Sequence, residues 1–217
     1  MPKGFTERDK EIIRGKLMEN GLKAFSSYGL RKTNVEDLTR AAGISKGAFY
    51  IFYESKEALF MDVVEEVERK FREKVLAEID RAGPSARARL KHVFLTAFTI
   101  WKSQPVLQHI TQAEYSLLLE KMPLEKVQEH LASDLEFIQE LIRRCRESGI
   151  LIETGGEAVA GLMKAVFFVS LHEDDLGPGL YPGTIDLLLD LIAAYCVGEI
   201  PPSGLPVGET LNKDAAA

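Results

Sequence analysis

Along most of the chain, apolar residues recur at i, i+3 and i+4, the spacing that gathers them on one face of an α-helix. Ile13, Leu17, Ala24 and Phe25 form a broken stripe behind Thr6, whose hydroxyl can cap a helix with Asp9 as its capping-box partner. A first helix is therefore predicted from Thr6 to about Ser26, before Tyr28, Gly29 and Leu30 turn the chain. Val35, Leu38, Ala41 and Ala42 mark a short second helix. Asn34 can cap it with Asp37 three residues on, and Gly43 ends it because glycine tolerates left-handed backbone. Ser45 can cap a third. Leu59, Val63, Val67 and Phe71 then stand a turn apart, predicting one long helix from Lys56 to about Ile79. Gly83 breaks it, and Pro84 suits the first residue of the next helix.

Beyond Ser85 the pattern stays helical. Leu90, Val93, Phe94, Ala97, Phe98 and Trp101 give one stripe, Pro105 restarts the chain, and Ile110, Tyr115, Leu118 and Leu119 follow before Pro123. Apolar residues at 124, 127, 131, 135, 138, 142 and 145 form the cleanest amphipathic stripe, and Gly149 closes that helix. Helices near 156–171 and 184–197 are too apolar for one face to be solvated. Pairing with the same helices of a second copy, as a four-helix dimer seam, explains them; burial within one chain is the alternative. A polar, glycine- and proline-rich loop is expected at 173–183 and a flexible tail at 201–217. With no convincing strand alternation or repeat, the fold class is all-α.

The stretch at 34–53, two short helices around Gly43, Ile44 and Ser45, has the size and layout of a helix-turn-helix. Lys46, Gly47 and Ala48 open the third helix, leaving a small helix start with one positive side chain, suited to close approach to phosphate and base edges. The run Thr33-Asn34-Val35-Glu36-Asp37-Leu38, then residues 41–50, then Lys56-Glu57-Ala58-Leu59, resembles the DNA-binding domain of the tetracycline-repressor (TetR) family over roughly residues 8–60. Ile51-Phe52-Tyr53 departs from that family's usual ending, which has phenylalanine last.

The resemblance implies a three-helix DNA-binding domain at 1–55, a larger helical effector-binding and dimerisation domain at 56–200, and an inverted-repeat duplex as partner. Ser45, Lys46 and Gly47 are the candidates for the groove. Tyr50 has a hydroxyl in reach of phosphate or a half-buried packing role, Lys56 fits a phosphate clamp, and Thr33 is either a hydroxyl contact or a turn residue. Arg31 and Lys32 are phosphate contacts or a solvated basic pair.

Charge changes the picture only once it is divided. The formal net charge is -6, yet residues 1–62 hold 11 Lys and Arg against 9 Asp and Glu, so an excess of two positive charges sits on the head and of eight negative charges on the rest. An acidic body on a slightly basic head fits a dimer that touches nucleic acid at one end. The 2 cysteines, Cys145 and Cys196, are far apart and read as buried thiols in a reducing, cytoplasmic setting. Neither a leader nor a membrane span is expected, and the apolar run at 185–197 is short and broken by Asp186 and Asp190.

No nucleophile elbow, phosphate-cradling glycine loop or zinc-protease motif occurs. The four histidines, His92, His109, His130 and His172, show no metal-ligand spacing, so no catalytic site, metal or cofactor is expected. Phe94, Phe98, Trp101, Tyr115, Phe137 and Phe167 are the candidates to line an apolar effector pocket, against the plainer alternative of core packing; His109, Gln112 and Glu114 are the polar groups available to a ligand. The expectation is a homodimeric, ligand-responsive repressor. Its alternatives are a DNA-binding regulator whose body serves only dimerisation or protein contact, and a helical small-molecule-binding protein or enzyme.

Overall fold

The computed structural model describes residues 5–109, 112–151, 156–170 and 172–200, without the side chains of 112–116, 156–158, 160 and 164. It is 78% helical, with no strand among the described residues. The first helix, α1 (Glu7–Lys32), starts as its sequence requires. Thr6 Oγ1 accepts from the Asp9 amide at 3.2 Å, and the Asp9 carboxylate accepts from the Thr6 amide at 2.9 Å. It extends past Ser26 to Gly29, whose φ of 70° and ψ of 175° turn the chain before a last turn to Lys32.

Two short helices follow, α2 (Val35–Ala42) and α3 (Lys46–Phe49), then the long α4 (Lys56–Ala77). Gly43 closes α2 at φ 75°, and Ser45 Oγ accepts from the Ala48 amide at 3.2 Å. Asn34 occupies the cap position of α2 but makes no side-chain capping bond, so the capping box expected there does not form. Leu17, Phe25, Leu38, Phe49, Leu59 and Phe60 are fully buried, and the Phe25 and Phe60 rings meet edge-on at 5.1 Å. Gly21 lets α4 lie close against α1: a Cβ there would stand 3.3 Å from Phe25 Cε2 and Val63 Cγ2.

The body comprises α5 (Ala86–Lys102), α6 (Pro105–Gln108), α7 (Gln112–Lys121), α8 (Leu124–Glu147), α9 (Gly156–Ser170), α10 (Glu173–Leu176) and α11 (Tyr181–Cys196). Pro84 stands outside α5 rather than at its first position, because Ser85 takes the cap and accepts from the Ala88 amide at 3.1 Å. The expected loop at 173–183 contains α10, and α11 begins at Tyr181 with Pro182 in its first turn. Residues 201–217, the expected tail, lie outside the described residues.

Two cores meet inside α4. The first joins α1–α3 and residues 58–67 to Val106, Leu118, Met122 and Val127. The second joins Val75 and Ile79 to Leu90, Phe94, Phe98, Cys145, Ile150, Val166, Ile185 and Leu189. Arg87 clasps α5 to the end of α11 through Asp190 and, at 2.8 Å, Glu199, and Lys91 pairs with Asp186 at 2.8 Å. Arg89 donates to the Ile79, Arg81 and Ser148 carbonyls at 3.0, 3.1 and 3.2 Å, tying the end of α4 to the end of α8.

Only part of the amphipathic stripe of α8 is buried. Val127 and Cys145 are buried, but Leu124, Leu131, Leu135 and Ile138 are exposed, and the side towards α4 holds His130, Asp134, Phe137 and Leu141. Arg72 of α4 donates to Asp134 at 2.6 Å and to the Ser133 hydroxyl at 2.6 Å. Burial, with Asp134 beside it, pushes the Glu68 carboxyl up to about 7.

Candidate nucleic-acid interface

The head presents α3 outward by burying one residue of it. Phe49 is fully enclosed, ringed by Tyr50 at 5.5 Å and Tyr53 at 5.9 Å, while Lys46 and Gly47 of this one-turn helix face solvent and Ala48 is partly buried. Ser45, Lys46 and Gly47 are exposed, and Tyr50 is 53% exposed with its ring edge-on to Phe49. Phe52 is partly buried, with the Phe5 ring at 5.8 Å.

Gly47 is informative because the protein does not need it. Its φ is not positive, and a Cβ there would find only Ser45 Oγ, at 4.0 Å. A glycine that neither backbone nor packing demands leaves room for something outside the chain.

Lys46 is not isolated. Its ammonium lies 2.6 Å from the Glu36 carboxylate in the first turn of α2; that hydrogen bond and ion pair hold the carboxyl below, and the ammonium above, their ordinary ranges. Sequence reasoning missed Glu36, because ten residues separate the pair and no helical spacing links them. A phosphate oxygen arriving at α3 competes with that carboxylate for Lys46.

Two candidates lie deeper than expected. Thr33 is 3% exposed and its hydroxyl donates to the Gly29 carbonyl at 2.7 Å, which makes it a turn residue. Lys56 Nζ donates to the Leu30, Thr33 and Arg31 carbonyls at 2.8, 2.9 and 3.3 Å. All three ammonium hydrogens thus meet the carbonyl end of α1, where a cation is stabilised by the helix dipole. The clamp Lys56 makes here is on the chain itself. Arg31 and Lys32 remain exposed beside it.

In the body the aromatic candidates divide. Phe167 lies 4.8 Å from Trp101 and 6.2 Å from Phe98, and Phe94 is buried in the same core. Phe137 stands apart, against Phe71 at 6.1 Å with the Arg72 guanidinium 5.5 Å over its ring. The side chain of Tyr115, like those of Gln112 and Glu114, is outside the described residues. His109 is not turned to a ligand, since its Nε2 meets the Ser26 carbonyl at 3.0 Å, linking α6 to α1. No helix among the described residues is long and apolar enough to cross a membrane.

Comparison with known proteins agrees with this geometry. Residues 17–63 match the model of bacterial regulatory proteins, tetR family. The uncharacterized HTH-type transcriptional regulator YuxN of Bacillus subtilis is 41% identical over 58 residues, 27% of this chain and 18% of that protein. The probable acrEF/envCD operon repressor of Escherichia coli is 23% identical over 139 residues, 64% of this chain and 46% of its own length. The chain thus spans under half of either relative. Among solved structures, FadR of Bacillus subtilis in complex with stearoyl-CoA superposes with a TM-score of 0.59 at 18% identity, covering 86% of this chain and 98% of that one. Residues 17–63 are thus a helix-turn-helix segment of the tetR family of bacterial regulatory proteins, and the helical fold of the solved structures continues through the body.

Proposed function

We propose that the protein is a cytoplasmic, homodimeric transcriptional regulator, a repressor that reads an inverted-repeat operator and leaves it when an apolar or amphipathic small molecule binds the body. The observation that carries this reading is the start of α3, where Ser45, Lys46 and the sterically unneeded Gly47 stand exposed on a helix-turn-helix. A small positive helix start of this kind admits close backbone approach and hydrogen bonds to phosphate.

Dimerisation is supported by the apolar residues that α9 and α11 leave outside the chain's own core. Leu162 of α9 and Leu187 and Leu191 of α11 are 42%, 57% and 44% exposed, while Ile185, Leu189 and Ile192 of α11 are buried. Exposed apolar patches on neighbouring helices mark an association surface. Two copies joined there present two α3 helices, and a two-fold protein asks for a palindromic site one or more DNA turns in period.

The effector is supported more narrowly, by the fold shared with a regulator bound to stearoyl-CoA and by Phe98, Trp101 and Phe167 clustered between α5 and α9. A second reading keeps the DNA head but gives the body only dimerisation or protein contact. It draws on the same cluster, whose rings already pack on one another.

Selection of duplexes from a random library by the purified full-length protein tests the first claim. Enrichment of one inverted repeat over random duplex at fixed salt is the expected result, and equal affinity for both overturns it. Titrating the complex with long-chain acyl-CoA and other amphiphiles then separates the two readings of the body: release supports an effector, and retention with every compound supports the second reading.

A further inference from the structure

Where α4 faces α8, far in sequence from α3, Glu68, His130 and Asp134 each offer one ligand-type atom within 4.8 Å of the others. His130 and Asp134 are four residues apart on α8, so they project from one face of that helix, and Glu68 reaches across from α4. Three features set this group apart from an ordinary polar contact.

The first is the burial of α8. Leu131, Leu135 and Ile138 are turned to solvent while a histidine and an aspartate occupy the α4 side, with the His130 side chain only 15% exposed. An interface selected for packing alone would hold the leucines there. The second is the state of the imidazole. Its Nδ1 is 3.8 Å from Glu68 Oε2 and its Nε2 is 3.9 Å from Asp134 Oδ2, both beyond hydrogen-bond distance, and the ring has no hydrogen-bond partner among the described residues. It stands between two carboxylates, bonded to neither. The third is charge. Glu68 and His130 border a crevice of about 460 Å³ where Glu65, Glu68, Glu73 and Glu129 outnumber Arg69 and Arg72. Arg72 answers part of that excess through Asp134 Oδ1 at 2.6 Å and Glu68 Oε2 at 3.2 Å, and it leaves Asp134 Oδ2 facing the imidazole.

We propose that Glu68, His130 and Asp134 bind a divalent transition-metal ion of the zinc class, joining α4 to α8. One imidazole and two carboxylates suit Zn²⁺, Co²⁺ or Mn²⁺. Because Nδ1 faces Glu68 and Nε2 faces Asp134, a shared ion requires the ring to turn so that one nitrogen serves both carboxylates, and the donor atoms to close from within 4.8 Å of one another onto metal bonds of about 2.0–2.2 Å. The remaining coordination positions open on the crevice, for water or a small anionic ligand. The neighbouring guanidinium keeps the affinity moderate. The pattern escaped the sequence because only two ligands share a helix and the third stands on another. The site is independent of the DNA-binding reading; only a consequence for the head, through α4, depends on it.

Titration of metal-free full-length protein with Co²⁺, followed by visible absorption, tests the assignment. One Co²⁺ per protomer, displaced by Zn²⁺, is expected. His130→Gln and Asp134→Asn should each weaken binding by about tenfold or more, with unchanged circular dichroism, and Glu129→Gln, which lines the crevice outside the triad, should not. If an α8 variant does not fold, Glu68→Gln interrogates the site from α4 with the same expectation. No saturable binding below about 100 µM, or parental affinity in the folded triad variants, would overturn the proposal.

Discussion

Replacing Gly47 by alanine separates what the chain needs from what its partner needs. The backbone at Gly47 has no positive φ, and the added methyl would meet nothing nearer than Ser45 Oγ at 4.0 Å. Alanine is favoured over glycine within a helix by roughly 0.5–1 kcal/mol. In a helix as short as α3 the lower end applies, so Gly47→Ala should stabilise the free protein by about 0.5 kcal/mol, a rise of about 1–2 °C in Tm for a chain of this size. On DNA the sign reverses: a methyl between α3 and the duplex either clashes or holds the helix away, and a loss of about 1.4 kcal/mol is tenfold in Kd. Thermal denaturation and fluorescence anisotropy on the selected duplex measure the two effects. Gly43→Ala is the contrast, since φ 75° strains any side chain and that variant should lose stability. A fall in Tm for Gly47→Ala would make the glycine structural, and undiminished DNA affinity would remove α3's first turn from the interface.

Glu36→Gln should release Lys46 and remove a negative charge facing the duplex, strengthening DNA binding by about threefold at low salt and less at high salt, as anisotropy at two ionic strengths would record. Arg89→Ala removes three charge-assisted bonds to the Ile79, Arg81 and Ser148 carbonyls; a loss of about 2–3 kcal/mol, roughly 5–10 °C in Tm, is expected, and a shift under 2 °C would refute the tie. Burial pushes the Cys145 thiol up to about 11, from 9.0 for the ordinary thiol. Between those values the unfolded chain has released a proton that the folded chain keeps, so stability should fall as pH rises from about 9 to 11. Cys145→Ala should flatten that part of a urea-denaturation series.

Local rules carried the sequence furthest where both partners lie within one helical turn. Thr6 with Asp9, Ser45 with the Ala48 amide and Gly43 at φ 75° all follow from spacings of three or four residues. Lys56 shows where such rules stop. Its three carbonyl partners lie 23 to 26 residues away, so its charge looked available for phosphate when the fold had assigned it to the end of α1. The α8 stripe is buried only in part, for a different reason. Positions 131, 135 and 138 and positions 130, 134, 137 and 141 lie on adjoining arcs of one helix, and periodicity counts apolar residues without saying which arc meets a neighbour. The neighbour here brings Glu68 and Arg72, which draw the polar arc inward.

Two of the attachments between head and body, α4 and α6, restrict how the head can move. α4 belongs to both cores, and its first residue, Lys56, grips the turn that enters α2, so a displacement of α4 reaches the helix-turn-helix through hydrogen bonds rather than a loose linker. α6 is the second attachment, with Val106 buried in the head's core and the His109 ring on the Ser26 carbonyl of α1. Only Ser103 and Gln104 separate α6 from the end of α5, where Trp101 and Phe98 contact Phe167. A molecule seated against those rings presses on α5 within one turn of α6, and α6 passes the displacement to α1. Motion of α6 against a stationary α4 would shear the Phe25 and Phe60 rings that join α1 to α4, so the economical response is rotation of the head with both helices. A dimer reading two half-sites is sensitive to that motion, because the separation of its α3 helices must match the period of the duplex.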